Sequence, residues 1–155
     1  MPFVSVTRLR LRSARFLPGF FFHAIRSQRQ LRRSPGFQAG SLLPDAGRTF
    51  WTLSLWDSAE AMRGYMLSGA HRTAMPKLAD WCDEASVAHW ETPEARLPDW
   101  REAEARMRRN GRPSKVRHPS ADHESLRFAA QTGRSPLAIL PRGGSTPFQS
   151  ARRGG

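Results

Sequence analysis

The sequence predicts an α+β fold in the order β-α-β-β-α-β, and three features carry that prediction. Phe3 to Leu11 and Arg48 to Trp56 alternate their side chains with the period of a strand. The segments after each strand repeat apolar residues at helical spacing. Pro and Gly residues punctuate the boundaries between them.

In the first strand, Phe3, Ser5, Thr7, Leu9 and Leu11 share one face, and Val4, Val6, Arg8 and Arg10 the other. Pro18 suits the first turn of a helix, where its missing N–H costs nothing. Leu17, Phe21, Ala24, Gln28 and Leu31 then mark a helical stripe that ends near Ser34, before Pro35-Gly36. Phe37 to Leu43 reads as a short strand and Pro44-Asp45-Ala46-Gly47 as a turn. Arg48 to Trp56 is the clearest strand, with Trp51, Leu53 and Leu55 facing away from Phe50, Thr52, Ser54 and Trp56.

Asp57-Ser58-Ala59-Glu60 has the form of a capping box, with Asp57 as the cap. The helix it opens has Ala61, Met62, Tyr65 and Met66 as its buried face and breaks at Ser68-Gly69. Helical spacing resumes with His71, Ala74, Met75, Leu78 and Cys82, and Pro76 is expected to kink or restart it. Ala85 to Glu91 is the last strand, and Pro98-Asp99 caps a charged helix from Trp100 to Arg109 that stops at Asn110-Gly111.

This is the split βαβ order of a ferredoxin-like domain with an added C-terminal helix. Two helices cover one face of the sheet, and a second copy of the chain is the simplest cover for the other. The domain is expected to span residues 1–110. Residues 111–155, rich in Gly, Pro, Ser and Arg, are expected to be a disordered tail.

The net charge is +12, carried by 25 basic residues of which only Lys77 and Lys115 are lysines. The first fifty residues hold nine Arg against Asp45 alone. No RNP-type aromatic pattern, zinc-binding cysteine pairs or helix-turn-helix accompanies this charge, so any nucleic-acid binding is expected to be non-specific. Cys82 is the single cysteine, so no intrachain disulfide can form. The apolar run from Phe16 to Ile25 is too short to span a bilayer and Pro18-Gly19 interrupts it, so no membrane partner is expected and the location is read as cytoplasmic.

The runs Phe50-Trp51-Thr52-Leu53-Ser54-Leu55-Trp56, Ser68-Gly69-Ala70-His71-Arg72, Trp81-Cys82-Asp83-Glu84 and His89-Trp90, with Gly111 to Ser120, resemble an uncharacterised bacterial family of the dimeric α+β barrel superfamily. That family is related to antibiotic-biosynthesis monooxygenases and, more distantly, to spheroidene monooxygenase. The resemblance covers residues 3–120. It implies a homodimer with a small cavity between sheet and helices, used across the superfamily for oxygenation, haem degradation, dehydration or binding alone. The haem-degrading members carry Trp and His where this chain has Tyr65 and Met75. A haem cofactor is implied only through the spheroidene monooxygenase relatives.

His71 shares the helical stripe of Ala74 and Leu78 and therefore points inward. Near-neutral titration makes it the candidate catalytic base, or an iron ligand; the alternative is a buried histidine bonded to a backbone carbonyl. Trp51, Trp56, Tyr65 and His71 are the candidate ligand-binding residues, and packing alone is the competing explanation for the tryptophans. His23 is expected to be solvated, and His89 to face either a cavity or the other side of the sheet. Cys82 sits among apolar residues, where a thiol is inert. No metal-ligand set, phosphate-binding glycine loop or Ser-His-Asp arrangement is present. These features point to a monooxygenase-like oxidoreductase, or a binding protein, for a hydrophobic or aromatic small molecule. A non-catalytic dimeric module and a basic nucleic-acid-associated protein remain open alternatives.

Overall fold

The computed structural model describes residues 1–143. Its elements are β1 (Phe3–Leu11), α1 (Leu17–Arg33), β2 (Phe37–Asp45), β3 (Thr49–Trp56), α2 (Ala59–Met66), α3 (Gly69–Trp81), β4 (Cys82–Glu91), α4 (Trp100–Asn110), β5 (Arg112–Pro113) and β6 (Leu137–Ile139), with a 3₁₀ turn at Ala14–Phe16 before α1. The strands form one antiparallel sheet in the order β5-β4-β1-β3-β2-β6. The ferredoxin-like order read from the sequence is therefore present, with two short strands added at the edges.

Strand alternation divides the core in two. Val4, Val6, Leu53, Leu55, Trp51 and Leu43 point to one face; Phe3, Ser5, Leu9, Phe50, Ser54 and Trp56 point to the other, beneath α1, α2 and α3. The first face is not open. Ala103 and Met107 of α4, together with Phe128, lie against it and bury Val4, Val6 and Leu53 completely. A second copy, the simplest cover expected for this face, is not what covers it, because the added helix folds back as its lid. Asp99 makes that possible by accepting the Glu102 N–H at 2.8 Å as the N-cap of α4.

The tail is likewise not detached over its described part. Arg112 and Pro113 pair with Val87 and Ser86. Beyond them, the Ser114 and Ser120 N–H groups donate to Ala85 and Asp83 carbonyls at 2.8 and 2.9 Å. His123 is buried, donating Nε2–H to the Ser114 carbonyl at 2.8 Å. Asp45 Oδ1 then receives the N–H groups of Thr132 and Gly133 at 3.0 and 2.9 Å, and β6 pairs with Gly40–Leu42 of β2. The segment crosses the domain from the β4 edge to the β2 edge. Solitary anchors and backbone bonds hold it, and these leave no periodicity in the sequence. The expected disorder of residues 144–155 lies outside the described residues.

Two local readings also change. Ser58, not Asp57, caps α2, accepting the Ala61 N–H at 3.2 Å, while Asp57 accepts from Gln38 at 2.5 Å. Pro76 lies inside α3, which runs as one helix from Gly69 to Trp81. No described helix is long and apolar enough to cross a membrane.

Candidate functional site

The residues of the helix-covered face fall into rows across the sheet. Register aligns His89 (β4), Ser5 (β1), Ser54 (β3), Gly40 (β2) and Ile139 (β6) in one row, and Val87, Thr7, Thr52, Leu42 and Leu137 in the next. Large side chains flank these rows: Phe3, Trp56 and Phe37 on one side, Leu9 and Phe50 on the other. Short hydroxyl side chains at the centre cannot reach the helices above. A cavity of about 220 Å³ results, roofed by residues of α1, α2 and α3 that include Ala24, Tyr65 and His71. Among the described residues, no Asp, Glu, Lys or Arg lines it.

His71 enters the roof near the start of α3, where the helical layer is broken and rejoined. Gly69 has φ +57°, and a Cβ there would lie 3.0 Å from the Gln30 side chain, so only glycine suits the close approach. The Gln30 amide donates to the Ser68 and Tyr65 carbonyls at 2.8 and 3.1 Å and accepts the His71 N–H at 2.9 Å. The His71 ring is fixed in turn by Nδ1–H donation to the Met66 carbonyl at 3.1 Å. Because a carbonyl only accepts, this bond puts a proton on Nδ1, so that in the neutral ring Nε2 carries the lone pair. Burial lowers the pKa of His71, although the Met66 bond opposes it, so the imidazole is neutral at neutral pH.

Tyr65 packs its ring 4.8 Å from the His71 ring and 5.5 Å from that of Trp56, and its hydroxyl donates to the Ser27 carbonyl at 3.4 Å. Burial raises its pKa, which keeps the phenol protonated. Trp56 donates Nε1–H to Ser54 Oγ at 2.9 Å, so its polar atom is satisfied and its ring remains as wall.

Three of the four expected ligand-binding residues, Trp56, Tyr65 and His71, meet at this cavity. Trp51 does not. It points to the opposite face, edge-on to Phe128 at 5.5 Å, and donates Nε1–H to Asp45 at 3.2 Å. An odd sequence offset places Trp51 and Trp56 on opposite sides of one strand. His23, expected to be solvated, is instead half-buried at the cavity wall, 5.8 Å from the Trp81 ring. His89 also lines the cavity, and its Nε2 is buried without a hydrogen-bond partner among the described residues. The clue to both the floor and His89 is the pairing of Ser5 and Thr7 with Ser54 and Thr52, which places short residues beside short ones. Cys82 is fully buried and its thiol is pushed up to about 12, mainly by burial and secondarily by Asp83.

The residues present do not fit a haem. The volume lies below the roughly 300–1,000 Å³ usual for drug-sized ligands, which are smaller than a porphyrin. Among the described residues, the wall also offers no cation for the propionates. Among the described residues, no group of three or more His, Cys, Asp or Glu side chains is placed to hold a metal ion.

The family described as a domain of unknown function, DUF3291, matches residues 2–114. No curated protein matches the chain in sequence. Among solved structures, the chain is similar to SnoaB from Streptomyces nogalater, described as a cofactor-independent oxygenase, at 17% identity and a TM-score of 0.51 over 63% of this chain and 98% of that one. It is similar to a protein from Nitrosomonas europaea assigned as an antibiotic-biosynthesis monooxygenase, at 15% identity and a TM-score of 0.53 over 59% and 90% of the two chains. Rv0793 from Mycobacterium tuberculosis matches at 12% identity and a TM-score of 0.54 over 61% and 97%. These likenesses show the fold shared with antibiotic-biosynthesis monooxygenase-like proteins. The chain belongs to the DUF3291 family.

Proposed function

We propose that this DUF3291 protein holds a flat, apolar small molecule with a polar handle between its helices and sheet, and acts on it as a monooxygenase-like oxidoreductase. The observation that carries the reading is the wall of the cavity. It combines the Trp56 and Tyr65 rings with a neutral His71 and, among the described residues, contains no charged side chain. Such a wall disfavours ionic ligands, whose desolvation nothing there would offset, and suits an aromatic compound bearing a hydroxyl.

In this reading His71 Nε2 accepts that hydroxyl's hydrogen bond or proton, and the bond from Nδ1 to the Met66 carbonyl supports it by leaving Nε2 as the acceptor of the neutral ring. Oxygenation without a cofactor, the activity named for SnoaB, requires the organic substrate itself to reduce O₂. Removing a proton from the handle makes the substrate a better reductant. In this reading His71 is the base, while Trp56 and Tyr65 hold the ring. The homodimer expected from the resemblance remains part of the proposal, on a surface other than the face α4 covers.

Calorimetry with 1-naphthol on wild type and His71→Ala, together with oxygen-electrode assays, tests this. Wild type binds and consumes O₂; His71→Ala loses about tenfold in affinity and the turnover with it. Binding without O₂ consumption would replace the enzyme with a non-catalytic binding protein. Absence of binding by any aromatic probe would overturn the reading.

A further inference from the structure

His89 is anomalous on this floor. His89 lies on the helix-covered face of β4, beyond the two residues that β5 pairs with, and a buried ring nitrogen there is expected to find a partner, because buried polar groups are nearly always hydrogen-bonded. Its Nε2 is buried and has none among the described residues. The ring is held instead by apolar contact, 5.5 Å from Phe3. Beside it in register, Ser5 is 6% exposed, and its hydroxyl makes no hydrogen bond among the described residues. The next residue in the row differs: Ser54 Oγ accepts from Trp56 and donates to the Ser5 carbonyl. Within this row the uncommitted polar atoms are therefore those of His89 and Ser5.

Burial first, and then the positive charges of Arg112 and Arg63, lower the pKa of His89. They disfavour an imidazolium and favour a neutral ring beside an electron-rich oxygen. Among the described residues that line the cavity, none offers a carboxylate to an ammonium group.

We infer that His89 and Ser5 form a second polar subsite in the sheet wall, so that the ligand is an aromatic compound with two oxygen groups, one for His71 above and one for His89 below. The inference rests on the proposal that the cavity is the ligand site. It goes further in assigning His89, and it restricts the substrate class to dioxygenated aromatics.

The test compares naphthalene, 1-naphthol and 1,5-dihydroxynaphthalene by calorimetry on the full-length chain, alongside melting of the ligand-free protein. Wild type should bind the dihydroxy compound about fivefold more tightly than 1-naphthol, the increment of one hydrogen bond. His89→Leu should erase that increment, leave 1-naphthol affinity within about twofold, and raise the ligand-free melting temperature by about 2–4 °C, since an unpaired buried polar group is removed. His89→Gln, which keeps a donor and an acceptor, should restore part of the increment. His71→Ala should lose affinity for both hydroxylated probes and keep the difference between them. Equal binding of the dihydroxy compound by wild type and His89→Leu would overturn the subsite, as would a ligand-free melting temperature that falls in His89→Leu. Wild type that binds 1-naphthol but gains nothing from the second hydroxyl would sink the subsite alone. Wild type that binds none of the probes would sink the cavity reading with it.

Discussion

Gln30 and His71 are joined across the helical layer: the Gln30 side-chain oxygen accepts the His71 backbone N–H at 2.9 Å, while its amide group donates to the Tyr65 and Ser68 carbonyls. One α1 side chain thereby closes the break between α2 and α3 and orients the His71 ring over the cavity. Gln30→Leu fills similar space but leaves three backbone groups without that partner. It should cost about 1–3 kcal/mol. Amide exchange at His71 should accelerate more than exchange in β1 or β3, which locates the loss at the break rather than across the domain.

On the other face, the Arg8 guanidinium meets Glu84 at 2.6 Å with both side chains nearly fully buried, and lies 4.9 Å from the Phe128 ring centre. Arg10 and Ser120 add to the same acidic pair, Arg10 through Asp83 at 2.8 Å and Ser120 through Glu84 at 2.8 Å. Glu84→Leu strands a buried cation, and removing one partner of such a pair typically costs about 3–5 kcal/mol. Urea unfolding of Glu84→Leu and of a double variant with Arg8→Leu separates the terms. The double variant should recover much of the loss, because two apolar residues replace the pair.

Acid should weaken the fold in two steps. Burial lowers the pKa of His71, His89 and His23 from the ordinary 6.5, so below about pH 6.5 the unfolded chain takes up protons that the folded chain refuses. Stability present above 6.5 is therefore lost as pH falls toward the folded-state values. Asp45 acts lower. Burial raises its pKa, but the hydrogen bonds from Thr132, Ala46 and Trp51 outweigh that and hold it below 3.8, so its contribution disappears as pH falls through its folded value. Chemical denaturation between pH 7.5 and 5 should show the first step, reduced in His71→Ala. A flat profile there would contradict the burial of these imidazoles.

What was legible in the sequence follows the periodicities. Strand alternation placed Val4 and Val6 apart from Ser5 and Thr7, and helical spacing turned Ala74 and Leu78 inward with His71. The site was half legible for the same reason: the roof lies on helices with clear stripes. The floor depends on which strands pair and in what register, so His89 acquires meaning only beside Ser5. The tail was illegible because single contacts hold it. Asp45 receives Thr132 and Gly133, 87 and 88 residues away, and Phe128 fills a gap between Trp51 and Arg8. None of these repeats at an interval a periodic reading can detect.

Ile139 shows what that tail does for the cavity. It is 3% exposed, packs with Trp56, Leu31, Phe37 and Met62, and forms part of the cavity wall. Its strand is only three residues long, and two bonds at Arg32 reinforce it: the Arg32 side chain donates to the Leu140 carbonyl at 3.0 Å, and the Arg142 N–H donates to the Arg32 carbonyl at 2.8 Å. Ile139→Ala should cost about 2–5 kcal/mol as a large-to-small change in a packed site. Because Ile139 touches both Trp56 and the cavity, 1-naphthol affinity should fall in the same variant. A stop codon at Arg134 should go further, exposing the β2 edge at Gly40–Leu42 to pairing with other chains. Light scattering of the truncated protein should then show concentration-dependent association beyond that of the full chain. Unchanged naphthol affinity and unchanged mass in both variants would mean that β6 decorates the edge without closing the cavity.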